Sequence, residues 1–235
     1  MRQTTLAFLA QQDAQIAINA HYFLPFPSAE PEAEVIGIAA SEGLVFSAFE
    51  SSVQSYALMA RAAGLNIDRD NHAGLVHADP TDATGRRVLE PVTLWTTLAG
   101  SAQIVTAGAV TIPRYRDAVT PGGQLEPGGP RQYSNANSWY EAVNARTAIG
   151  LSRDARTLTL FTVDGAGGSV GLTVGEVAAM LVREFGVWDA LNLDGGGSTS
   201  MVIVDPATRQ PRLVTTSVDG PAGRAVGSNL AVFAH

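Results

Sequence analysis

The residues best suited to chemistry lie close together in the segment 188–204. In it, an apolar run leads to Asp194, three glycines, a hydroxyl cluster and a second apolar run. The glycines and the first hydroxyl residues are Gly195, Gly196, Gly197, Ser198 and Thr199. Consecutive glycines cost conformational entropy and pack nothing, so they are useful where backbone approaches another group closely or turns its amides toward an anion. A long hairpin turn explains the same pattern equally well, because Asp-Gly pairs favour turns.

Two short strands must position this loop. The runs 190–193 and 201–204 are too short for helices and are typical of strands. Asn192 alternates with Asp194 and therefore shares its face, whereas Leu191 and Leu193 face the other way. Two polar side chains on one face of an otherwise apolar strand indicate a cleft rather than a core.

Three further polar residues have positions that favour a site. Arg146 lies in a predicted strand, 145–151, where an arginine is costly unless it is paired or points into a cleft. Its guanidinium suits a phosphate or carboxylate, and a salt bridge is the alternative. Glu176 has capping-box spacing from Thr173, which explains it structurally, but the helix N-terminus could also face the glycine loop. Asn19 ends an apolar strand, and a turn asparagine is the alternative.

The remaining pattern predicts one α+β domain over 1–235, with a mixed, mainly antiparallel sheet and a few packed helices. Helices are predicted at 4–14, 53–63 and 174–185. Further strands are predicted at 15–19, 35–38, 44–46, 74–77, 92–99, 103–110, 157–163, 213–216 and 229–233. The segment 113–138, rich in proline and glycine, is a long loop that is either a lid or a disordered insertion.

Composition excludes several classes of function. The 235 residues carry a formal net charge of −7 and no long basic run, which argues against nucleic acid and against anionic membranes. Cysteine is absent, so disulfides, thiolate metal sites and cysteine nucleophiles are excluded. No apolar stretch is long enough to cross a bilayer. His72 and His77 have a spacing that fits neither a helical pair nor alternate strand positions, so no metal site is expected there.

Five segments, in this order, resemble the phosphodiester glycosidase family. They are 17–23 (Ala-Ile-Asn-Ala-His-Tyr-Phe), 144–150 (Asn-Ala-Arg-Thr-Ala-Ile-Gly), 161–165 (Phe-Thr-Val-Asp-Gly), 171–176 (Gly-Leu-Thr-Val-Gly-Glu) and 190–199 (Ala-Leu-Asn-Leu-Asp-Gly-Gly-Gly-Ser-Thr). Arg224 with Asn229 is a weaker match. The resemblance is strong over 5–23 and 144–204 and loose over 24–143.

The resemblance implies a hydrolase that cleaves a sugar-1-phosphodiester, such as an N-acetylglucosamine derivative, without a cofactor. Asp194 would be the nucleophile or the base for water, and Glu176 the second carboxylate. The resemblance places Arg146 and the amides of Gly195, Gly196 and Gly197 at the phosphate, and Asn19 and Asn192 at sugar hydroxyls or the phosphate. Ser198 and Thr199 would orient Asp194 or the substrate. His21 would lie at the rim of the site, and Arg224 would also bind substrate.

Two other functions stay open at this point. A metal-dependent phosphodiesterase acting at P–O would use Asp194, Asp164 and Glu176 as ligands for Mg²⁺ or Ca²⁺. A non-catalytic carbohydrate-binding module would use Tyr22, Trp139 and Tyr140 as stacking platforms. A chelator should abolish the activity of a metal-dependent phosphodiesterase but not that of a metal-free glycosidase. A carbohydrate-binding module should bind glycans without turning over any substrate.

The resemblance also implies an extracytoplasmic or secreted protein. The apolar piece at 6–10 is too short for a signal peptide, so the cytoplasm also stays open. The chain begins almost at the helix that follows the first strands of most family members. A truncated chain and a minimal family member both explain this start.

Overall fold

The computed structural model describes residues 1–25, 30–49, 62–112 and 142–233. Within them the helices are α1 (Thr5–Gln12) and α2 (Val174–Phe185), and one 3₁₀ turn covers Gly196–Ser198. In chain order the strands are β1 (Gln3–Thr4), β2 (Ile16–Asn19), β3 (Phe23–Leu24), β4 (Glu34–Val35), β5 (Ala39–Ser41), β6 (Leu44–Ser47), β7 (Gly64–Ile67), β8 (Ala73–Val76), β9 (Thr96–Ala99), β10 (Ala102–Thr106), β11 (Ala109–Val110), β12 (Arg146–Leu151), β13 (Leu158–Val163), β14 (Asp189–Asn192), β15 (Met201–Val204), β16 (Pro211–Leu213), β17 (Ala225–Val226) and β18 (Asn229–Val232).

The described part of the chain is rich in sheet. Three larger sheets have the strand orders β11-β10-β14-β12-β13 (the Asp194 sheet), β16-β15-β2-β18 (the Asn19 sheet) and β6-β5-β9-β7-β8. Every strand pairing among the described residues is antiparallel, so the predicted mixed sheet is not seen there. The prediction of a mainly antiparallel protein is confirmed, and the described residues contain two of the three predicted helices.

The Asp194 sheet has a different neighbour on each face. Helix α2 packs Val177 and Leu181 against Ala148 and Ala190 on one face. On the other face Ile149, Leu191 and Leu193 join a core with residues of the other two large sheets, such as Ile18 and Leu65. Strand β12 is buried along its whole length between β13 and β14. The predicted opposite orientation of Leu191 and Leu193 relative to Asn192 is therefore confirmed.

Local signals explain both helices. Thr173 and Glu176 form the predicted capping box, and Gly186 ends α2 in the left-handed conformation at φ 61°. The side chain of Thr4 caps α1 by accepting from the Ala7 amide. Helix α1 packs Leu9 onto Ala17 and Val202 of the Asn19 sheet.

Four predicted elements differ from the structure. The predicted strands 35–38 and 44–46 were expected to form a hairpin, but its first strand is β5 at 39–41, because Glu42 and Gly43 adopt positive φ and form the two-residue turn between β5 and β6. The run 103–110 is two strands, with a similar turn at 107–108. The last strand before the C-terminal loop is 211–213 instead of 213–216. Gly64 begins β7 instead of ending a helix, because β7 pairs with β8 and β9.

Two of the predictions fall partly or wholly outside the described residues. Most of the helix predicted at 53–63 and the whole loop predicted at 113–138 lie there. Within the described residues no helix is long and apolar enough to span a membrane.

Candidate active site

Asp194 follows β14 by two residues, where the Asp194 sheet meets the Asn19 sheet. The peptide groups before and after its α-carbon both form hydrogen bonds with residues in or next to strand β2 of the Asn19 sheet. Its amide donates to the carbonyl oxygen of Ala20 at 2.9 Å. Its carbonyl oxygen accepts from Asn19 Nδ2 at 2.7 Å. Asp194 is 9% exposed, so its carboxylate is held in a nearly closed position.

Burial dominates the electrostatics of this carboxyl. It raises the pKa of Asp194 from 3.8 to about 7. The Ser198 hydroxyl, the charge of Arg224 and the Gly195 amide act in the opposite direction, because each stabilises the carboxylate. The pKa of Asp194 is thus higher in the folded state than in the unfolded state. The contribution of protonated Asp194 to the free energy of unfolding is therefore fully present below pH 4 and is lost as pH rises to about 7.

The glycine loop is shaped by close packing around its backbone. A Cβ on Gly195 would lie 2.8 Å from the Ala145 carbonyl oxygen, and Gly196 has φ +59°. A Cβ on Gly197 would lie 2.2 Å from Arg224 Nη2. Side chains at these positions would displace neighbouring backbone or Arg224. The glycines therefore serve close approach, which was one of the two uses that the sequence suggested.

The predicted amide cradle for phosphate is corrected for Gly196, whose amide donates to the Ala145 carbonyl oxygen at 2.8 Å. The Gly195 amide helps to lower the pKa of Asp194. Both donors already stabilise the loop and its carboxylate.

Arg224 is the partly exposed cation beside Asp194. Its Nη1 donates to Ser198 Oγ at 3.3 Å, and its Nε donates to Asp219 Oδ2 at 2.5 Å. The Arg224 side chain is 25% exposed. Arg146, by contrast, is 2% exposed, and its Nε donates to the Leu172 carbonyl oxygen at 3.0 Å. A second nitrogen of Arg146 bonds the Ala142 carbonyl, so this arginine braces the segment that enters α2.

Asn19 has a different role from the predicted substrate contact. Besides its bond to Asp194, its Oδ1 accepts from Thr147 Oγ1 at 2.9 Å and from the Ser200 amide at 3.0 Å. It is fully buried. These bonds join β2, β12 and the glycine loop, so the side chain of Asn19 holds the peptide of Asp194 in place.

Asn192 lies in a buried polar group next to Asp194. Its Nδ2 donates to Ser101 Oγ at 2.8 Å and to the Tyr22 hydroxyl at 3.2 Å. Burial, with the nearby charge of Asp194, raises the pKa of Tyr22, which therefore stays protonated. Among the described residues, Asn192 Oδ1 and Thr199 Oγ1 are the two buried side-chain atoms without a hydrogen-bond partner. An unpaired buried polar atom costs about 1–3 kcal/mol, so each of these two oxygens is a local cost to stability.

His21 does not lie at an open rim. It is 3% exposed, and burial lowers its pKa to about 4. Its Nδ1 lies 2.7 Å from Ser228 Oγ, and its Nε2 lies near the Ile38 carbonyl oxygen and the Ala99 amide. Both ring nitrogens are thus engaged within the protein, which corrects the predicted substrate contact.

Glu176 forms the helix cap. Its Oε2 accepts from the Thr173 amide and from Thr173 Oγ1, both at 2.8 Å. These bonds lower the pKa of Glu176, and its side chain is exposed. Among the described residues, no bond joins it to the groups around Asp194.

We expect Glu176→Gln to retain activity and stability, because glutamine also completes a capping box. Glu176→Ala, which removes the cap, should lower the melting temperature slightly while kcat/KM stays within about twofold. Steady-state kinetics and thermal melts of both variants check this. A loss of about 100-fold or more in Glu176→Gln would restore the predicted catalytic role.

The carboxylates proposed for a metal site do not come together. Asp164 accepts from the Thr216 amide at 2.9 Å, and Glu176 is committed to Thr173. Within the described residues, one group of three side chains is close enough to share a cation, namely Asp68, Asp70 and His72. Of the residues proposed as stacking platforms, Tyr22 is 7% exposed, so little of its ring is open to a sugar. Trp139 and Tyr140 lie outside the described residues.

Sequence reasoning missed Ser101, Thr147 and Asp219. Thr147 carried a usable signal, since it alternates with Arg146 and must face the opposite side of β12. Ser101 and Asp219 lie in loops, and their partners are distant in sequence.

Known proteins resemble the chain in sequence. A family model for phosphodiester glycosidases matches residues 12–233. The N-acetylglucosamine-1-phosphodiester alpha-N-acetylglucosaminidase of Mus musculus is 30% identical over 133 residues, 54% of this chain and 24% of the mouse protein. The Homo sapiens protein of that name is 39% identical over 67 residues, 28% of this chain and 13% of the human protein. The alignments thus cover about a quarter or less of these relatives.

Two solved structures share the fold. The catalytic domain of the zebrafish enzyme of that name, auto-inhibited by its pro-peptide, has a TM-score of 0.66 at 18% identity and covers 100% of this chain and 68% of that one. A putative exported protein of Burkholderia pseudomallei has a TM-score of 0.60 at 20% identity and covers 99% and 68%. Together with a family model that spans nearly the whole sequence, these findings establish that the chain belongs to the phosphodiester glycosidase family.

Proposed function

We propose that this chain hydrolyses a sugar-1-phosphodiester, releasing the free sugar and a phosphomonoester. The observation that carries the proposal is the buried carboxylate of Asp194, with a pKa near neutrality, beside the cation of Arg224. Family membership supports it, since the mouse and human relatives are named for this type of reaction. N-acetylglucosamine is the sugar we would test first.

The chemistry follows from these groups. The bond between the anomeric carbon and the bridging oxygen breaks, and the phosphomonoester leaves with that oxygen. Phosphate is a good leaving group, so the reaction needs little help from a general acid. Ionised Asp194 attacks the anomeric carbon or takes a proton from the attacking water, and water supplies the new hydroxyl group. Arg224 faces the single negative charge of the diester.

The unpaired oxygens support a sugar ligand at this place. Asn192 Oδ1 can accept a hydrogen bond from a sugar hydroxyl or amide, and Thr199 Oγ1 can donate or accept. In this proposal both residues keep their predicted roles in substrate binding. Asn19, Glu176 and His21 are left out of direct contact, for the reasons given by their bonds.

We expect kcat/KM to rise with pH and to level off above pH 7. Only the ionised form of Asp194 is active in this mechanism, and its pKa is about 7. The acid limb of the profile should therefore have an apparent pKa near neutrality, well above that of an ordinary aspartate. A profile measured from pH 4 to 9 on one diester checks this. A limb near pH 4 would contradict the assignment.

A panel of sugar-1-phosphate diesters, assayed with and without EDTA, tests the function. In ¹⁸O-labelled water the label should enter the sugar, because the carbon–oxygen bond breaks. Label in the phosphate, or activity lost to EDTA, would favour the metal-dependent phosphodiesterase instead. The anomer released first, followed by NMR, separates a covalent intermediate on Asp194 from direct attack by water.

We also propose an extracytoplasmic location. The support is family membership and the likeness to a Burkholderia pseudomallei protein described as putatively exported. Fractionation of cells that express the native gene decides it.

A further inference from the structure

A chain of four polar side chains runs from the surface to the candidate catalytic carboxylate. Asp219 accepts from Arg224 Nε, and Arg224 Nη1 donates to Ser198 Oγ. The Ser198 hydroxyl in turn stabilises the ionised form of Asp194 and lowers its pKa. The side chains of Asp219 and Arg224 are 35% and 25% exposed, whereas Ser198 and Asp194 are both buried, so the ion pair lies at the surface end of the chain.

The glycine loop is shaped to accept this pair of charges. A Cβ on Gly197 would lie 2.2 Å from Arg224 Nη2, 2.6 Å from Arg224 Cζ and 2.9 Å from Asp219 Oδ2. The ion pair therefore rests directly on the bare backbone of Gly197. A guanidinium held at one nitrogen can still rotate about its long side chain, whereas one held at Nε, Nη1 and along its face has a fixed position.

We propose that Asp219 is a positioning residue that holds Arg224 over Gly197 and beside Asp194. Without it, Arg224 would lose the ion pair at Nε, and its guanidinium would gain rotamer freedom to move away from Asp194. Arg224 would then stabilise neither the ionised carboxylate nor an incoming phosphodiester. The effect on substrate rests on the function proposed above, and the effect on Asp194 does not.

The other groups around the carboxylate do not substitute for Arg224. Tyr22 is neutral and lies within range of the charges of both Asp194 and Arg146. Arg146 is committed to backbone carbonyls near α2. Arg224 is therefore the charged neighbour of Asp194 whose position depends on a surface residue, Asp219.

The first test follows the pH profile. In Asp219→Ala we expect the acid limb of kcat/KM to move up by about half a unit or more, and KM for an anionic diester to rise several-fold. Asp219→Asn, whose amide oxygen can still accept from Arg224 Nε, should show no upward shift. Combining Asp219→Ala with Arg224→Gln should add no shift to that of Arg224→Gln alone. The proposal would be overturned if the acid limb of Asp219→Ala stayed in place or moved to lower pH. It would also be overturned if the shifts of Asp219→Ala and Arg224→Gln added together in the double variant.

A matched control removes a different ion pair. Arg212 Nε contacts Asp205 Oδ2 at 3.2 Å, the same kind of contact outside the groups around Asp194. Asp205→Ala should lower the melting temperature and leave the limb unmoved. An equal shift in this control would show that loss of stability, not of position, moves the limb.

The second test needs no turnover. Asp194→Asn should raise the melting temperature at pH 8, because it removes the cost of ionising a buried carboxyl. That rise should be larger in the Asp219→Ala background than in the wild type. This difference in melting temperature is expected even if the chain does not hydrolyse sugar-1-phosphodiesters, because it depends only on the ionisation of Asp194. An identical rise in both backgrounds would overturn the role of Asp219.

Discussion

On the proposed substrate, a sugar-1-phosphodiester, we expect Asp194→Asn to lose roughly 10³-fold in kcat, the size of effect that follows when a positioned catalytic carboxylate is removed. Asparagine keeps the shape of the side chain, and its oxygen can still accept from Ser198 and Gly195. The backbone bonds to Asn19 and Ala20 do not involve the side chain and are retained. The loss should therefore fall on kcat with little change in KM.

Steady-state kinetics and a thermal melt at pH 8 check this result together. A folded, more stable and inactive variant is the expected combination. Asp164→Asn is a suitable control, because Asp164 also sits at a strand end but accepts from the Thr216 amide. Wild-type activity in Asp194→Asn would remove this residue from the chemistry.

Gly100→Ala should be the most destabilising small substitution near the site. An alanine Cβ there would lie 1.9 Å from the Asn192 carbonyl oxygen and 2.8 Å from its carbonyl carbon. That carbonyl accepts from the Ser101 amide at 2.9 Å, so β10 and β14 cannot separate without breaking their pairing. We expect a loss of about 3 kcal/mol in the free energy of unfolding.

Gly74→Ala provides the matched comparison for this substitution. Gly74 also lies in a strand, β8, and a Cβ there would meet nothing within 4 Å. It should be neutral or slightly stabilising, because alanine loses less backbone entropy on folding. Denaturant unfolding of both variants measures the difference. Equal stability would show that β10 and β14 can relax around position 100.

The sequence was most informative where local interactions decide the structure. Helix α2 was predictable because Thr173, Glu176 and Gly186 act within a few residues of one another. The strand 201–204 followed from the length of its apolar run, and the opposite orientation of Asn192 and its leucine neighbours followed from alternation. The segments around Asp194 were also recognisable in order along the chain, which identified the family.

The sequence misled where the deciding partner is far away. Nothing near Asn19 reveals that its amide bonds Asp194, Thr147 and Ser200, so a buried brace was taken for a substrate contact. His21 was misjudged similarly, because Ala99 and Ser228 are distant in sequence. A consecutive glycine run likewise cannot show whether its amides point toward a ligand or back into the protein.

The bonds that fix the peptide of Asp194 join residues about three quarters of the chain length apart. Asn19 and Ala20 meet Asp194 only after about 175 residues have been brought together. Contacts of such high sequence separation form late, since loop closure must precede them. Helix α2 and the β12–β13 hairpin can form earlier from neighbouring residues. The recovery of catalysis during refolding would thus report the final docking step, after most secondary structure has returned.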